Sequence, residues 1–185
     1  MQPAVKPHRF SVRDWHRMGE IGLLAADHRA ELIEGEVIDM APIGSAHAAL
    51  VTRLTHLLTS RLSTGALVSV QNPLRLGDFS EPQPDLMLLR PREDFYARTH
   101  PTAQDVLLVI EVADTTLAYD RDRKIPLYAR YGVPRAWLIN LPERIVEVYA
   151  NPDPEGYSDR HIARVGEVLE PLPGSAVEVG LLLGE

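Results

Sequence analysis

Residues 105–113, DVLLVIEVA, form an almost unbroken apolar run that carries a single carboxylate, Glu111, near its end. The run reads as a buried strand, and a charge placed in it is costly unless a metal, a cation or a set of donors offsets it. Upstream, residues 84–90, PDLMLLR, read as a second strand, and the polar, proline-containing PREDFYARTHPTAQ joins the two. If that loop returns the chain antiparallel, the start of the first strand lies beside the end of the second. Asp85 and Glu111, far apart in sequence, then meet at one edge of a sheet. Alternation puts Leu107, Val109, Glu111 and Ala113 on one face, and Val106, Leu108, Ile110 and Val112 on the other.

Two carboxylates held together raise each other's pKa unless a cation lies between them. Oxygen pairs of this kind suit hard divalent ions such as Mg²⁺ or Mn²⁺, with water and a phosphate oxygen completing the shell. Such an ion lowers the pKa of an attacking water and neutralises charge on a phosphoryl oxygen, and a nearby lysine adds donors. Lys124 follows Glu111 in the stretch VIEVADTTLAYDRDRK at 109–124. This is the logic of a metal-dependent phosphodiesterase.

Around this hairpin the other elements fall into place. SVRDWHRM (11–18) reads as a short helix with Ser11 and Asp14 as a capping box. RAELIEGEVIDM (29–40) breaks at Glu34-Gly35 and reads as a hairpin of two short strands. In HAALVTRLTHLLTSRL (47–62), started by Ser45, Leu50, Leu54, Leu57, Leu58 and Leu62 recur at helical spacing. ALVSVQNPLRL (66–76) is a strand candidate, and a helix is expected around 120–132, stopped by Gly132 and Pro134. RAWLINLP (135–142) and RIVEVYA (144–150) read as a hairpin, and NPDPEG (151–156) as a turn before short strands and a leucine-rich end at 181–183. The fold class expected is α/β or α+β, a mixed sheet flanked by helices.

At 185 residues, with 45% hydrophobic and 24% charged content, the chain suits one domain, 1–185, with a core at about 45–150. It has no cysteine, no apolar run of membrane-spanning length, and no apolar region in MQPAVKPHRF (1–10). A cytoplasmic protein without a membrane partner is therefore expected. The net charge of −7 excludes a broadly basic coat for nucleic acid but leaves room for a local groove.

The ordered series AELIEGEV (30–37), Pro42, Ser45 and His47 before a helix, QPDLMLL (83–89), VIEVADTT (109–116), Asp120, Lys124 and LYARYGVPRAWLIN (127–140) resembles the Uma2 family. RIVEVY (144–149) and LPGSAVEVGLLL (172–183) complete the likeness, which spans nearly the full length. Pro84-Asp85 with Glu111-Val-Ala113 also resembles the PD-(D/E)xK nuclease signature. The resemblance implies a restriction-endonuclease-like core and a metal-dependent endonuclease acting on nucleic acid, DNA before RNA. The usual lysine two residues after the glutamate is absent, since Ala113 stands there. The family pattern carries that role to Lys124. VEVADTT departs from the more usual VEVLSPST, and Pro126 stands where the family has a helix former, so the helix is expected to start late, near Asp122, or to kink.

In this reading Asp85 and Glu111 bind the metal, Lys124 orients the nucleophile, and His47 contacts a phosphate or acts as an auxiliary base. Glu31 or Glu34 joins the metal from the first hairpin, the resemblance favouring Glu31. Each has a blander reading: a turn residue for Asp85, a structural ion pair for Glu111, a solvated pair with Asp120 for Lys124, and a near-cap residue for His47. Tyr128 reads as packing, Trp15 and Trp137 as core or interface. Arg121, Arg123, Arg130 and Arg135 are either phosphate contacts or a solvated face. His8, His28, His56, His100 and His161 show no metal-ligand spacing. A non-catalytic nuclease-like module, binding nucleic acid or a protein partner, is the alternative function, and a homodimer is the default assembly.

Overall fold

Residues 6–24, 29–62 and 65–185 are described by the computed structural model; His28 and residues 1–5 of the amino-terminal stretch lie outside them. Helix α1 (Val12–Glu20) carries the expected capping box, with the Asp14 N–H donating to the Ser11 hydroxyl and the Ser11 N–H to Asp14. Strands β1 (Ala30–Ile33) and β2 (Glu36–Asp39) pair as a hairpin. Its turn needs positive φ at both Glu34 (51°) and Gly35 (81°), and a Cβ at Gly35 would lie 2.6 Å from Arg9 Cβ. Helix α2 (Ser45–Leu62) follows, then β3 (Leu67–Val70), β4 (Leu86–Leu89) and β5 (Val106–Ala113). Next come α3 (Leu117–Tyr119), a wide π turn at Asp120–Lys124, α4 (Ile125–Arg130), β6 (Arg135–Asn140), β7 (Ile145–Asp153) and β8 (Gly156–Ala163). The short strands β9 (Val168–Leu169) and β10 (Val177–Glu178) precede α5 (Val179–Leu183), so the leucine-rich end is helical.

The main sheet has six strands in the order β3-β4-β5-β6-β7-β8. Only β5 and β6 run parallel, joined by the crossover from α3 to α4; the other neighbours are antiparallel. The candidate strand at 66–76 stops at Val70 because Gln71 adopts a positive φ of 49° and turns the chain away.

Each face of the sheet buries its own core. On one face α2 and α5 pack Leu50, Leu54, Leu58 and Leu182 against Leu86, Leu108, Ile110 and Trp137. Val51 is buried there, whereas Leu57 is only half-buried, so the helix faces the sheet slightly off the leucine stripe. On the other face Ile125, Leu127 and Tyr128 cover Met87, Val109, Ala113 and Leu138. Each aliphatic side chain sealed in this way contributes about 1.5–3 kcal/mol.

The expected alternation along β5 holds from Leu108 onward and fails before it. Leu88 pairs with Leu108 but Leu89 with Val106, so β5 bulges by one residue. Val106 consequently joins the α4-side core and Leu107 packs against the α2-side core, the reverse of the simple alternation. Among the described residues no helix is long and apolar enough to cross a membrane.

Candidate functional site

The antiparallel pairing of β4 and β5 sets Leu86 opposite Ile110 and so brings Asp85 beside Glu111. The two are tied through backbone: the Asp85 N–H donates to Glu111 Oε2 (3.3 Å) and the Val112 N–H donates to Asp85 Oδ2 (2.9 Å). Gln71, held by its left-handed backbone at the end of β3, donates to Asp85 Oδ1 at 3.2 Å. His47, in the first turn of α2, places Nε2 3.0 Å from Asp85 Oδ2. Burial alone would raise the pKa of Asp85. The His47 hydrogen bond and charge, with Lys124 and the Val112 N–H, hold it below the usual carboxylate range. The same hydrogen bond raises the pKa of His47 against the effect of its own burial.

Lys124 reaches the site from the opposite side. Its ammonium lies 2.7 Å from Glu111 Oε1 and 3.5 Å from Glu31 Oε2, and the side chain is only 5% exposed. The solvated surface pair with Asp120 is therefore not what forms. Burial alone would favour the neutral amine, but Glu111, Tyr128, Glu31 and Asp120 outweigh it and keep the ammonium charged. The Glu111 carboxyl is pushed up to about 8, by burial first, with Lys124 opposing and Asp85 adding to the rise. Tyr128 packs in the core as expected and also donates its hydroxyl to Glu111 Oε1. Glu31 is fixed by the Gln83 N–H at 3.1 Å. Glu34 instead turns outward to Arg130 at 3.0 Å and Arg123 at 3.7 Å, so the first hairpin sends one glutamate inward and one to the surface.

Pro126 neither delays the helix nor breaks it. The helix begins at Leu117, and the chain widens at 120–124, where the Ile125 N–H reaches the Asp120 carbonyl. An α-helical turn would bring the ring of Pro126 against the carbonyl of Asp122 and leave that carbonyl without its donor. The wide turn puts Pro126 at the start of a new α segment, where a missing N–H is tolerated. Lys124, the last residue of the turn, points into the site.

The four arginines near this helix are spoken for. Arg121 pairs with the buried Glu147, which Arg160 (2.8 Å) and the Tyr149 hydroxyl (2.5 Å) also contact. Arg123 bridges to Glu36 at 3.1 Å, and Arg135 donates to the Glu170 and Pro171 carbonyls. None of Arg121, Arg123, Arg130 and Arg135 lines the pocket over the carboxylates.

That pocket, about 400 Å³, is lined by Glu31, His47, Asp85, Glu111, Asp120 and Lys124 among others. Four of its carboxylates are at most 9% exposed (Glu31, Asp85, Glu111 and Asp120), against one buried ammonium, Lys124. Asp85 Oδ1 and Glu111 Oε2 each accept one long hydrogen bond, leaving lone pairs for an ion. Two buried polar atoms of the lining, His47 Nδ1 and the Tyr119 hydroxyl, have no hydrogen-bond partner, which marks a site completed by water or ligand. An all-oxygen donor set with surplus negative charge fits a hard divalent cation. Among the described residues Glu31, Asp85 and Glu111 do not form a group of ligand atoms mutually within 4.8 Å; Glu31 and Glu111 meet through the shared Lys124 ammonium.

Asp120 escaped the sequence reading as a site residue. It is 6% exposed, accepts the Thr116 hydroxyl at 2.6 Å, and its pKa is raised by burial first, then by Asp85 and Glu31. The folded chain therefore binds a proton more tightly at Asp120 than the unfolded chain does. Its ionised form opposes folding fully above the folded pKa, and the penalty vanishes below the ordinary value of 3.8. Asp120→Asn keeps the Thr116 contact without the charge. It is expected to stabilise the metal-free chain by about 1 kcal/mol at neutral pH and to have little effect below that value. Urea unfolding in chelator at the two pH values checks this, and equal midpoints for variant and wild type at neutral pH would refute it.

No curated protein matches the chain. A solved structure from Anabaena variabilis, described as "a putative nuclease belonging to DUF820", matches with a TM-score of 0.76 at 17% identity, covering 94% of this chain and 97% of that one. At that identity the likeness is one of fold, a mixed α+β nuclease fold. The family Uma2, described as "Putative restriction endonuclease", matches residues 14–181, a span that takes in Glu31, His47, Asp85, Glu111 and Lys124. The protein belongs to the Uma2 family.

Proposed function

We propose that the protein is a divalent-metal-dependent endonuclease that hydrolyses phosphodiester bonds, in DNA before RNA. The observation that carries this is the Lys124 ammonium, 2.7 Å from a glutamate that adjoins Asp85 across the neighbouring interior strands β4 and β5, under an open pocket. A lysine remote from the carboxylates would have favoured a module that binds without cutting.

In this reading Asp85 and Glu111 hold Mg²⁺ or Mn²⁺, with Glu31 in support through Lys124. The bound ion would lower the pKa of a water and neutralise the phosphoryl oxygens. The chain's own residues do the rest. Lys124 is kept as an ammonium and acts as a donor, to the attacking water oxygen or to a phosphoryl oxygen, where charge builds as the new P–O bond forms and the ester P–O bond breaks. Glu31, through its contact with Lys124, and Tyr128, through Glu111, fix where that ammonium sits. His47 acts through Asp85, holding one oxygen so that the other faces the pocket. A symmetric pair of chains would supply a site for each strand of a duplex.

The test is incubation of the purified chain with plasmid, linear duplex, single-stranded DNA and RNA, in Mn²⁺, Mg²⁺ or chelator, beside Asp85→Ala. Cleavage by wild type only, and only with metal, is expected. Binding without cleavage in every metal lane would favour the non-catalytic module and sink the proposal.

A further inference from the structure

A second group of ligand-bearing side chains lies apart from the carboxylate pocket. Among the described residues, His16, Glu81 and His100 form the one group of three whose ligand atoms all lie within 4.8 Å of one another. They come from three distant segments: His16 from α1, Glu81 from the stretch that bridges to β1 at Leu32, and His100 from the loop before β5. His16 Nε2 is 2.7 Å from Glu81 Oε1, and the two imidazoles stand edge to face with centroids 6.3 Å apart. No spacing in the sequence announces such a set, because β1, the 74–82 excursion and the β4–β5 loop must all fold first.

The state of Glu81 points to a ligand. Its side chain is 3% exposed, yet Oε2 is buried without a hydrogen-bond partner. The nearest cation, Arg75, stays 3.9 Å away, because its guanidinium is drawn to the Gly77 carbonyl (2.5 Å) and to Asp78 (3.5 Å). A buried carboxylate oxygen with no hydrogen bond and only this long ion pair is poorly compensated, and a directly bound cation would improve it. An anion at the same place would face the Glu81 charge. Both histidines are exposed, His16 at 45%, so an ion has an approach path and the rings have room to turn. Tetrahedral ligand atoms about 2.0–2.1 Å from a metal sit roughly 3.3 Å apart, so the rings adjust only locally to take an ion.

We propose that His16, Glu81 and His100 form a metal site for a borderline divalent ion of the Zn²⁺ class, which clips α1 to the body of the fold. Two imidazoles and one carboxylate select Zn²⁺, Ni²⁺ or Co²⁺ over Mg²⁺, the reverse of the all-oxygen pocket around Asp85. The clip also braces the segment from which the Gln83 N–H holds Glu31, two residues past Glu81. It does not depend on the nuclease reading.

The test uses the full chain without a histidine tag, carrying Asp85→Asn and Glu111→Gln so that the oxygen pocket cannot compete. Calorimetric titration with Zn²⁺ is expected to show one site, and Co²⁺ to give the visible absorption of nitrogen ligation. Adding His100→Ala, at an exposed position, is expected to weaken Zn²⁺ binding on the order of 100-fold and to abolish the rise in thermal midpoint that Zn²⁺ produces. His16→Ala should do the same, and circular dichroism verifies that each variant is folded. No Zn²⁺ binding to the parent, or binding unchanged by both histidine variants, would overturn the proposal.

Discussion

Replacing Glu111 with glutamine is expected to weaken Mn²⁺ binding by roughly 100-fold or more and to lower any metal-dependent cleavage by roughly 10³-fold. The substitution preserves the shape of a residue that is 2% exposed and keeps an acceptor for the Tyr128 hydroxyl. What it removes is the carboxylate that, once ionised against Lys124, would hold the ion. Asp85→Asn should behave alike, because the backbone bonds that lace Asp85 to Glu111 make the pair one unit. Isothermal titration with Mn²⁺ decides the matter independently of catalysis. Wild-type affinity in both variants would mean that the ion, if there is one, sits elsewhere.

Lys124→Met is expected to produce the largest loss of stability, about 3 kcal/mol at neutral pH in chelator. The ammonium is the one buried cation among Glu31, Asp85, Glu111 and Asp120, and methionine fills its volume while leaving their repulsion unbalanced. The loss should shrink as pH falls and the carboxylates take up protons. A divalent cation should restore the variant more than it stabilises wild type, since it supplies the charge the lysine gave. Cleavage should still fall on the order of 10²-fold or more, because the donor to the reacting oxygens is gone. Thermal melts with and without Mn²⁺ separate these effects. A variant as stable as wild type in chelator would show that Lys124 does not carry the electrostatic balance assigned to it.

The parts of this molecule legible from sequence are those fixed by local periodicity. The apolar runs at 84–90 and 105–113 announced two strands, and their polar loop announced the return that joins Asp85 to Glu111. Ser11 with Asp14, and Glu34 with Gly35, announced a cap and a turn. The parts that were not legible depend on packing between distant segments. The bulge that swaps Val106 and Leu107 is an extra residue in β5 against β4, a feature of the pairing that alternation within one strand does not register. The choice between Glu31 and Glu34 turned on which face of the first hairpin meets the 80–83 segment. Gln71 and Gln83 gave no signal, being polar residues between strands whose importance lies in two hydrogen bonds each, to Asp85 for one and to Glu31 and Ala30 for the other. Proline at 126 was a visible conflict with the helix, but its resolution by a wider turn, with Asp120 carried inside, was not.

That wide turn makes chain length a specification in its own right. A π turn holds one residue more than the α turn it replaces, so deleting any one of residues 121–123 would let the helix close to regular geometry. The order of residue types could survive such a deletion almost intact, and the lysine would still follow the glutamate at nearly the same interval. Yet the regular turn would bring the ring of Pro126 against a carbonyl one turn back, the clash that the wide turn avoids, and Asp120 and Lys124 would lose the spacing that now carries both side chains to the carboxylates. Relatives of this chain are therefore best aligned by counting residues between the strand glutamate and the helix lysine, because at this place a gap alters the site as surely as a substitution does.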